Sequence, residues 1–569
     1  MAWLGYAAVA LWFVAPVLAA PPRLALGHPA NDVGNHVWGY AWVGQALAAG
    51  ELPTHTTLLA WPDGGSLWFI DAFGVLLTLP INLTFGPVAA YNCALLFNFW
   101  WAGVAAGALA ERVSGSRAGG VVAGFSFMAT PQLLGQAYNG ISETLAVGWL
   151  PLALLAMEHA VEAPSARRGA LAGLALAVAT LFNWYYGLFG LICALGYVGR
   201  AVAGARAGGP PLRALPLPAA AASVVFVAVV AAPFAAFSAT MSAADALVTR
   251  DPDFVWRTLI LHNMTDVEAL MHPGTFYSPD LAAVFGEDLI VVVYVGYALL
   301  LPAVAAAWLS HGGARRFWFG VAAVFGVLAL GPFLYVGGDY LQVAGGWLPL
   351  PFLALFEWFP SFSRISHAYR FVIGLSLALS VLAALAVRGL GQRGVDVGLV
   401  AALLVGLRLW EATTLSSAVF PLPVTPVDPP EALARLDGGA VLDLPVGVPI
   451  LARSRFLLGQ LAHGQPVPFG LNEPTPELLV RNHYTQYLIE LERSAVSVIP
   501  ERRPFLDLEL GRAALVDAGL RWIVVHQEDY PPGVRRKVEL FLDQTATAVH
   551  EGEGLRIYRL DPAVTALSW

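Results

Sequence analysis

Long apolar blocks separated by short polar connections run from the N-terminus to about residue 413. A helix needs about 20 mostly apolar residues to cross a bilayer. Blocks of that kind begin near Trp3, Val88, Ala118, Ser142, Gly169, Trp184, Leu215, Leu289, Phe317, Tyr369 and Val395. They predict roughly eleven spans, and so an α-helical polytopic membrane protein. The first block, followed by small residues and Pro21-Pro22, has the outline of a cleaved signal peptide but lacks a basic leading region. A retained first helix makes the rest of the topology consistent, so it is read as a membrane anchor.

The connections orient these spans. Arg112 and Arg117, Arg167 and Arg168, Arg200, Arg206 and Arg213, Arg315 and Arg316, and Arg388 and Arg393 fall in alternate, acid-poor connections. The positive-inside bias makes those cytoplasmic. The other connections carry Asp32, Asp63, Asp71, Glu143, Asp251, Asp253, Asp266, Glu268, Asp339 and Glu357 and face outward. The two sets separate only if Asp71 to Phe85 does not cross. Broken by Pro80 and ended by Gly86-Pro87, it is expected to lie in the outer interface. The N-terminus is then cytoplasmic and the C-terminus extracytoplasmic.

After Glu411 the pattern changes. Pro421, Pro423, Pro426, Pro429 and Pro430 predict a stiff linker over 414–430. Beyond it, β-like runs such as Gly439–Leu444 and Leu520–His526 alternate with helical stretches such as Pro532–Gln544. We therefore expect a transmembrane domain over 1–413, with outward loops at 21–87, 238–288 and 337–368. A small extracytoplasmic α/β or α+β domain should follow over 431–569.

Composition agrees and narrows the classes. Hydrophobic residues make up 57% and charged residues 12% of the 569, about half the charge of a soluble domain. No basic patch interleaved with aromatics appears, which excludes nucleic-acid binding. The two cysteines, Cys93 and Cys193, lie within apolar blocks and offer neither a disulfide framework nor metal-type spacing. Scarce lysine beside abundant Arg, Ala and Gly points to a GC-rich bacterial genome, hence the bacterial cytoplasmic membrane.

Ionisable groups at mid-membrane mark ion paths and proton relays, and secondary transporters place coupling groups there. This chain has almost none; Arg408 and Glu411, three residues apart, read as a mutual ion pair. Its polar groups gather in outward loops. The first reads His28-Pro-Ala-Asn31-Asp32-Val-Gly-Asn35-His36-Val-Trp38. Asn31 or Asp32 can cap the amphipathic helix that follows, and Asp32 and His36 share a face at i, i+4 spacing. Three readings stand: a capping acid with a satisfied histidine, a carboxylate base for an acceptor hydroxyl, or two ligands of a divalent cation such as Mg or Mn.

In Tyr138-Asn139-Gly-Ile-Ser142-Glu143, Glu143 is either a first-turn acid favoured by the helix dipole or a second active-site carboxylate. In Phe362-Ser-Arg364-Ile-Ser-His367-Ala-Tyr369-Arg370, three cationic residues recur every three positions at the mouth of a span. If helical they share a face that suits a lipid phosphate; the alternative is snorkelling headgroup anchors. The loop 238–288 adds Arg250, Arg257, His262, His272 and Tyr277 and is either a substrate cover or a passive surface loop.

Together these elements resemble the GT-C superfamily of multi-spanning membrane glycosyltransferases, in an uncharacterised bacterial branch. The resemblance lies in Asp32 soon after the first helix, then Trp61-Pro-Asp-Gly-Gly65, Gly86-Pro-Val-Ala-Ala-Tyr91-Asn92 and Trp149-Leu-Pro151-Leu. It continues through Leu181-Phe-Asn183-Trp-Tyr185-Tyr186, the Arg364 to Arg370 mouth and His463-Gly-Gln-Pro466. It covers most of the membrane part, carried by the order of the elements. It implies transfer of a sugar from a polyprenyl-phosphate donor to an extracytoplasmic glycan, lipid or protein. By the same resemblance Asp32 is the general base and Glu143 an assisting acid or metal ligand. Arg364, His367 and Arg370 steady the leaving phosphate. From the residues themselves, Arg257 and His262 of the 238–288 loop are candidate substrate or phosphate contacts, and His36 with Asp32 the candidate metal pair. Where part of that family carries an acidic pair, this chain has Asn31-Asp32, a single acid. Two other functions fit the same pattern: a flippase for a lipid-linked glycan, and an inactive scaffold with an external binding domain.

Overall fold

The computed structural model describes residues 2–206, 210–248, 252–261, 264–273, 289–416, 418–493 and 506–561. Each of the eleven apolar blocks holds a helix. Six are long and apolar enough to cross a membrane: Pro87–Ser114, Ser142–Glu162, Trp184–Arg206, Leu212–Met241, Ala368–Gly391 and Val397–Thr414. The other five blocks hold the shorter helices Ala2–Phe13, Arg117–Met128, Ala166–Phe182, Tyr297–Leu309 and Gly313–Ala329.

The Leu289 block departs most from expectation. Its helix starts only at Tyr297, after Gly296, and Val291–Val295 run buried and non-helical before it. The β-branched run Ile290-Val-Val-Val293 disfavours helix, but buried extended backbone then needs partners. Asn139 bonds both backbone groups of Ile290, Val295 N donates to the Leu270 carbonyl, and Arg408 and Glu411 hold the junction with the helix. Arg408 donates to the Val295 carbonyl at 2.8 Å, and Glu411 accepts from the amides of Tyr297 and Ala298 at 2.6 and 3.0 Å. The two side chains stand 3.4 Å apart, as expected of an ion pair, and both are buried.

One feature of the first outward loop also differs from expectation. The helix Ala72–Phe85 runs through Pro80 unbroken and ends at Gly86. At 14 residues it is about 21 Å long, too short for a bilayer core. The proline linker is not free: Val424–Pro426 pairs antiparallel with Leu24–Leu26. Proline's missing N–H is tolerated on such an edge strand.

The C-terminal part is built on a four-stranded sheet in the order Thr547–Gly552, Leu555–Arg559, Leu520–His526, Ala440–Leu444. The last pair is parallel and the others antiparallel. Helices Ser454–His463, His483–Arg493, Leu508–Asp517 and Pro532–Thr545 flank it. Its apolar core takes in Trp61 from the first outward loop. Helix Ser454–His463 lies on helix Val33–Ala48, where Trp38 Nε1 donates to Gln460 Oε1 at 2.5 Å and Ser454 Oγ donates to the Asn31 carbonyl.

Gly34 permits this docking, since a Cβ there would stand 2.0 Å from the Ser454 carbonyl oxygen, a backbone atom that cannot turn away. Gly34→Ala is therefore expected to destabilise the full-length protein by about 1–3 kcal/mol, the scale of an overpacked contact. Gly199→Ala, where nothing lies within 4 Å of a built Cβ, should leave the thermal midpoint in detergent unchanged. Equal midpoints for the two variants would refute the tight contact.

Candidate active site

The site forms where the N-terminus of helix Val33–Ala48 meets the turn before Ser142. Asp32 N donates to the Asn139 carbonyl at 3.0 Å and His28 N to that of Tyr138 at 2.7 Å. Gly140, at φ 78°, lies so close to Val33 that a Cβ would come within 2.5 Å of its side chain. This clamp brings Asp32 and Glu143 to one histidine. His36 Nε2 lies 3.7 Å from Asp32 Oδ2 and 3.6 Å from Glu143 Oε2. Glu143 Oε1 lies 3.8 Å from Arg370 Nη1, and that guanidinium stacks over Tyr185 at 5.1 Å.

A third carboxylate, Asp71, completes the cluster. It accepts from Tyr40 Oη at 2.9 Å and from Ser142 Oγ, while Ser142 Oγ sits 2.9 Å from His36 Nδ1. Ser142 has one proton, and it is directed to Asp71, so His36 Nδ1 donates to the serine. With Nε2 facing two carboxylates, the ring carries both protons and a positive charge. Asp32 also accepts from Asn35 Nδ2 at 2.6 Å and from Asn472 Nδ2 at 3.0 and 3.3 Å.

These contacts set the charge states. Burial alone would raise Asp32. The charge and proximity of His36, with the amides of Asn35 and Asn472, outweigh it and hold the carboxyl below the ordinary range. Burial opposes charge on His36 as well, but Asp32, Glu143 and Asp71 together push it up to about 9. For Asp71 burial wins over His36 and Ser142, and its value rises to about 6. Of the three residues around the imidazole nitrogen, Asp32 is the most open, its side chain 10% exposed against 4% for His36 and 3% for Glu143.

Other sequence candidates lie elsewhere. Arg364, His367 and Arg370 do not share a helical face: 364–367 is turn and coil, and only Arg370 lies in the 3-10 helix Ala368–Phe371. Arg370 alone turns into the cluster. Arg364 is exposed, and the half-buried His367 bonds Ser366 Oγ at 2.7 Å. Arg257 is exposed on helix Pro252–Leu261, its Nε 3.3 Å from the Asp253 carbonyl. His272 is exposed, while Arg250, His262 and Tyr277 lie outside the described residues.

Asp32 does stand at the N-cap of its helix, but its side chain makes no capping bond. Its carboxylate is spent on His36 and the two asparagines. Asp71, Ser142, Tyr40, Asn35 and Asn472 were not among the candidates. Tyr40 continues the Asp32–His36 face at i+8, Asp71 was one of the outward acids, and Asn35 and Ser142 stood within the quoted motifs.

A metal centre finds poor support in these donors. Both Asp32 oxygens already accept amide hydrogens, and Asp71 Oδ2 accepts from two hydroxyls. Glu143 Oε2 is the cluster's one buried carboxylate oxygen without a hydrogen-bond partner. Among the described residues no group of three or more His, Cys, Asp or Glu could hold a metal ion.

No family model matches the sequence, and no curated protein does. Among solved structures, the chain is similar to the oligosaccharyltransferase of Archaeoglobus fulgidus in complex with zinc and sulfate. Identity is 11% and the TM-score 0.51, over 98% of this chain and 73% of that one. The same enzyme tethered to an acceptor peptide containing the NVT sequon gives 12% identity and a TM-score of 0.51, over 96% and 72%. At such identities the likeness is one of fold. The fold is the one that the sequence resemblance implied.

Proposed function

We propose that this protein is a membrane glycosyltransferase that moves a sugar from a polyprenyl-phosphate donor to an acceptor on the outer face of a bacterial cytoplasmic membrane. The observation that carries the reading is the meeting of Asp32, His36, Glu143 and Arg370 in one buried cluster, within the fold of an oligosaccharyltransferase. A transferase of this kind needs a carboxylate beside the acceptor and a cation beside the departing phosphate.

In the proposed reaction an acceptor hydroxyl attacks the anomeric carbon, the bond from that carbon to the phosphate oxygen breaks, and polyprenyl phosphate leaves as the anion. The hydroxyl proton passes to Asp32, which stays ionised at neutral pH because its pKa is depressed. Arg370, with its buried Nε lacking a partner, offers donors to the phosphate, and exposed Arg364 with His367 lies further out as a lipid-phosphate contact. Glu143 holds Arg370 and His36 in place. Each of these steps falls to a side chain of the protein; among the described residues no group of three or more His, Cys, Asp or Glu stands ready for Mg or Mn.

Placement supports the outward face. The span Ser142–Glu162 starts at the cluster and, about 30 Å away by helical rise, ends where Glu162 pairs with Arg112. Arg200, paired with Glu158 at 2.6 Å, and Arg393, bonded to the Trp308 carbonyl at 3.0 Å, come from the same set of connections. We take that arginine-rich end as cytoplasmic, with an N-terminus inside, a linker at 414–430 and an extracytoplasmic domain at 431–569.

The test is transfer of labelled sugar from a panel of polyprenyl-phosphate sugars to total envelope material, in membranes holding the full chain. Arg370→Met should lower the rate by about 10²–10³-fold, the effect of removing one charge-stabilising donor. Wild-type membranes that transfer none of the sugars would remove the reading.

A further inference from the structure

Two asparagine amides fix the Asp32 carboxylate, and one of them arrives from far along the chain. Asn472 lies 440 residues beyond Asp32, in the C-terminal part, between the helices Ser454–His463 and Glu477–Arg481. Its Nδ2 donates to Asp32 Oδ1 at 3.0 Å and Oδ2 at 3.3 Å, and its Oδ1 accepts from Asn35 Nδ2 at 2.6 Å. The same Asn35 nitrogen reaches Asp32 Oδ1 at 2.6 Å. The triangle leaves one sense for the Asn472 amide, because a flipped amide would set its oxygen against the carboxylate.

The loop that presents Asn472 is built for its place. Arg453 holds it by bonds to the Glu473 carbonyl at 3.3 Å and Thr475 Oγ1 at 3.1 Å, and stacks over Phe469 at 4.6 Å. Val467 and Phe469 bond the backbone of Leu58, Ala60 and Trp61 in the first outward loop. Asn472 itself has φ 54°, a left-handed conformation that asparagine tolerates better than most residues and glycine best.

We propose that Asn472 is a positioning residue for Asp32, so that the C-terminal part completes the active site by locking the carboxylate in one orientation. A free carboxylate rotates about two torsions; a base must keep its lone pair on the acceptor proton. The proposal rests on the reading of Asp32 as that base. The other charged groups about Asp32 are His36, in direct contact, and beyond it Glu143 and Asp71. None of them comes from the C-terminal part.

Asn472→Gly separates position from folding, since glycine accepts the left-handed backbone and removes only the amide. In the full-length protein we expect a thermal midpoint lowered only by the small linkage cost of a raised Asp32 pKa, and a KM for the polyprenyl-phosphate sugar within about twofold. The kcat should fall about tenfold or more, the scale of a lost hydrogen bond to a charged group. A readout without turnover is the pH at which a water-soluble carbodiimide half-modifies Asp32, mapped by mass spectrometry. It should rise by about half a unit or more, because a carboxylate that loses donors holds its proton more tightly. Asn472→Asp keeps the size and should move that midpoint further in the same direction; it serves if the glycine variant fails to fold.

A shifted midpoint in a protein that transfers no sugar leaves the positioning intact and removes only the transferase reading. A midpoint that stays in place, or a kcat within about twofold of an active wild type, overturns the proposal.

Discussion

Asp32→Asn is expected to reduce sugar transfer by about 10³-fold, within the range that a positioned acid or base contributes. The substitution keeps the shape and removes the charge. It also turns one hydrogen-bond acceptor into a donor: the oxygen can stay on Asn35 and Asn472, but the new amide nitrogen takes the place of Oδ2, which accepts from Asn472 Nδ2 at 3.3 Å and faces His36 Nε2 at 3.7 Å. One N–H then faces another, and the local penalty is about 1–3 kcal/mol. That penalty lowers the thermal midpoint without unfolding the bundle, because Asp32 sits at a helix entrance and not in the apolar core.

The two effects separate in one experiment: transfer rate and thermal midpoint are measured on the same preparation. Near-complete loss of transfer in a folded protein supports the base. Transfer at the wild-type rate would remove Asp32 as the base, and transport or binding would gain only if the wild type itself transfers nothing.

Why some of this was legible in the sequence and some was not follows from the range of the interactions involved. Span positions depend on block length and composition, which are local, so the Ser142 and Trp184 blocks appear as helices where expected. The Leu289 block failed because its extended start is held by distant partners: Asn139 on Ile290 and Arg408 on the Val295 carbonyl, while Glu411 caps the helix that begins at Tyr297. Asp32 and His36 were readable as a pair because one helix turn joins them. Their meeting with Glu143 was visible only as an alternative, since it depends on the close approach of Gly140 to Val33.

Asp71 appeared in the sequence as one outward acid among ten. Its role comes from Ser142 and Tyr40, on two other elements. The grouping of Arg364 with Arg370 presumed a helix through 364–367, whereas the chain turns there and leaves Arg364 in the open. Asn472 had no local signal at all. The reach of the C-terminal part into the cluster is a property of tertiary contact alone.

His36→Gln should cause the largest loss of stability of any single change in the cluster. The imidazole is the cation that faces Asp32 and Glu143 and, through Ser142, Asp71. Glutamine keeps a polar side chain but leaves Asp32 without a cation in contact and Glu143 with Arg370 alone. Removing one partner of a buried ion pair is destabilising by about 3–5 kcal/mol.

The pH dependence identifies the cause. His36 rises to about 9 in the folded protein, above its ordinary value of about 6.5 in an unfolded chain. Its contribution is therefore full below pH 6.5 and disappears as pH climbs through 9. Asp71 is raised as well, to about 6, so its own contribution is gone before that window opens. Between about pH 6.5 and 9.5 the wild-type thermal midpoint should fall by an amount that His36→Gln does not show, the variant being lower at the start and flatter across the range. Parallel curves would mean that the ring is neutral in the folded state. The three carboxylates would then need their compensation from Arg370 and hydrogen bonds alone, and the proton placed on His36 Nδ1 by its bond to Ser142 would have to be the only one it carries.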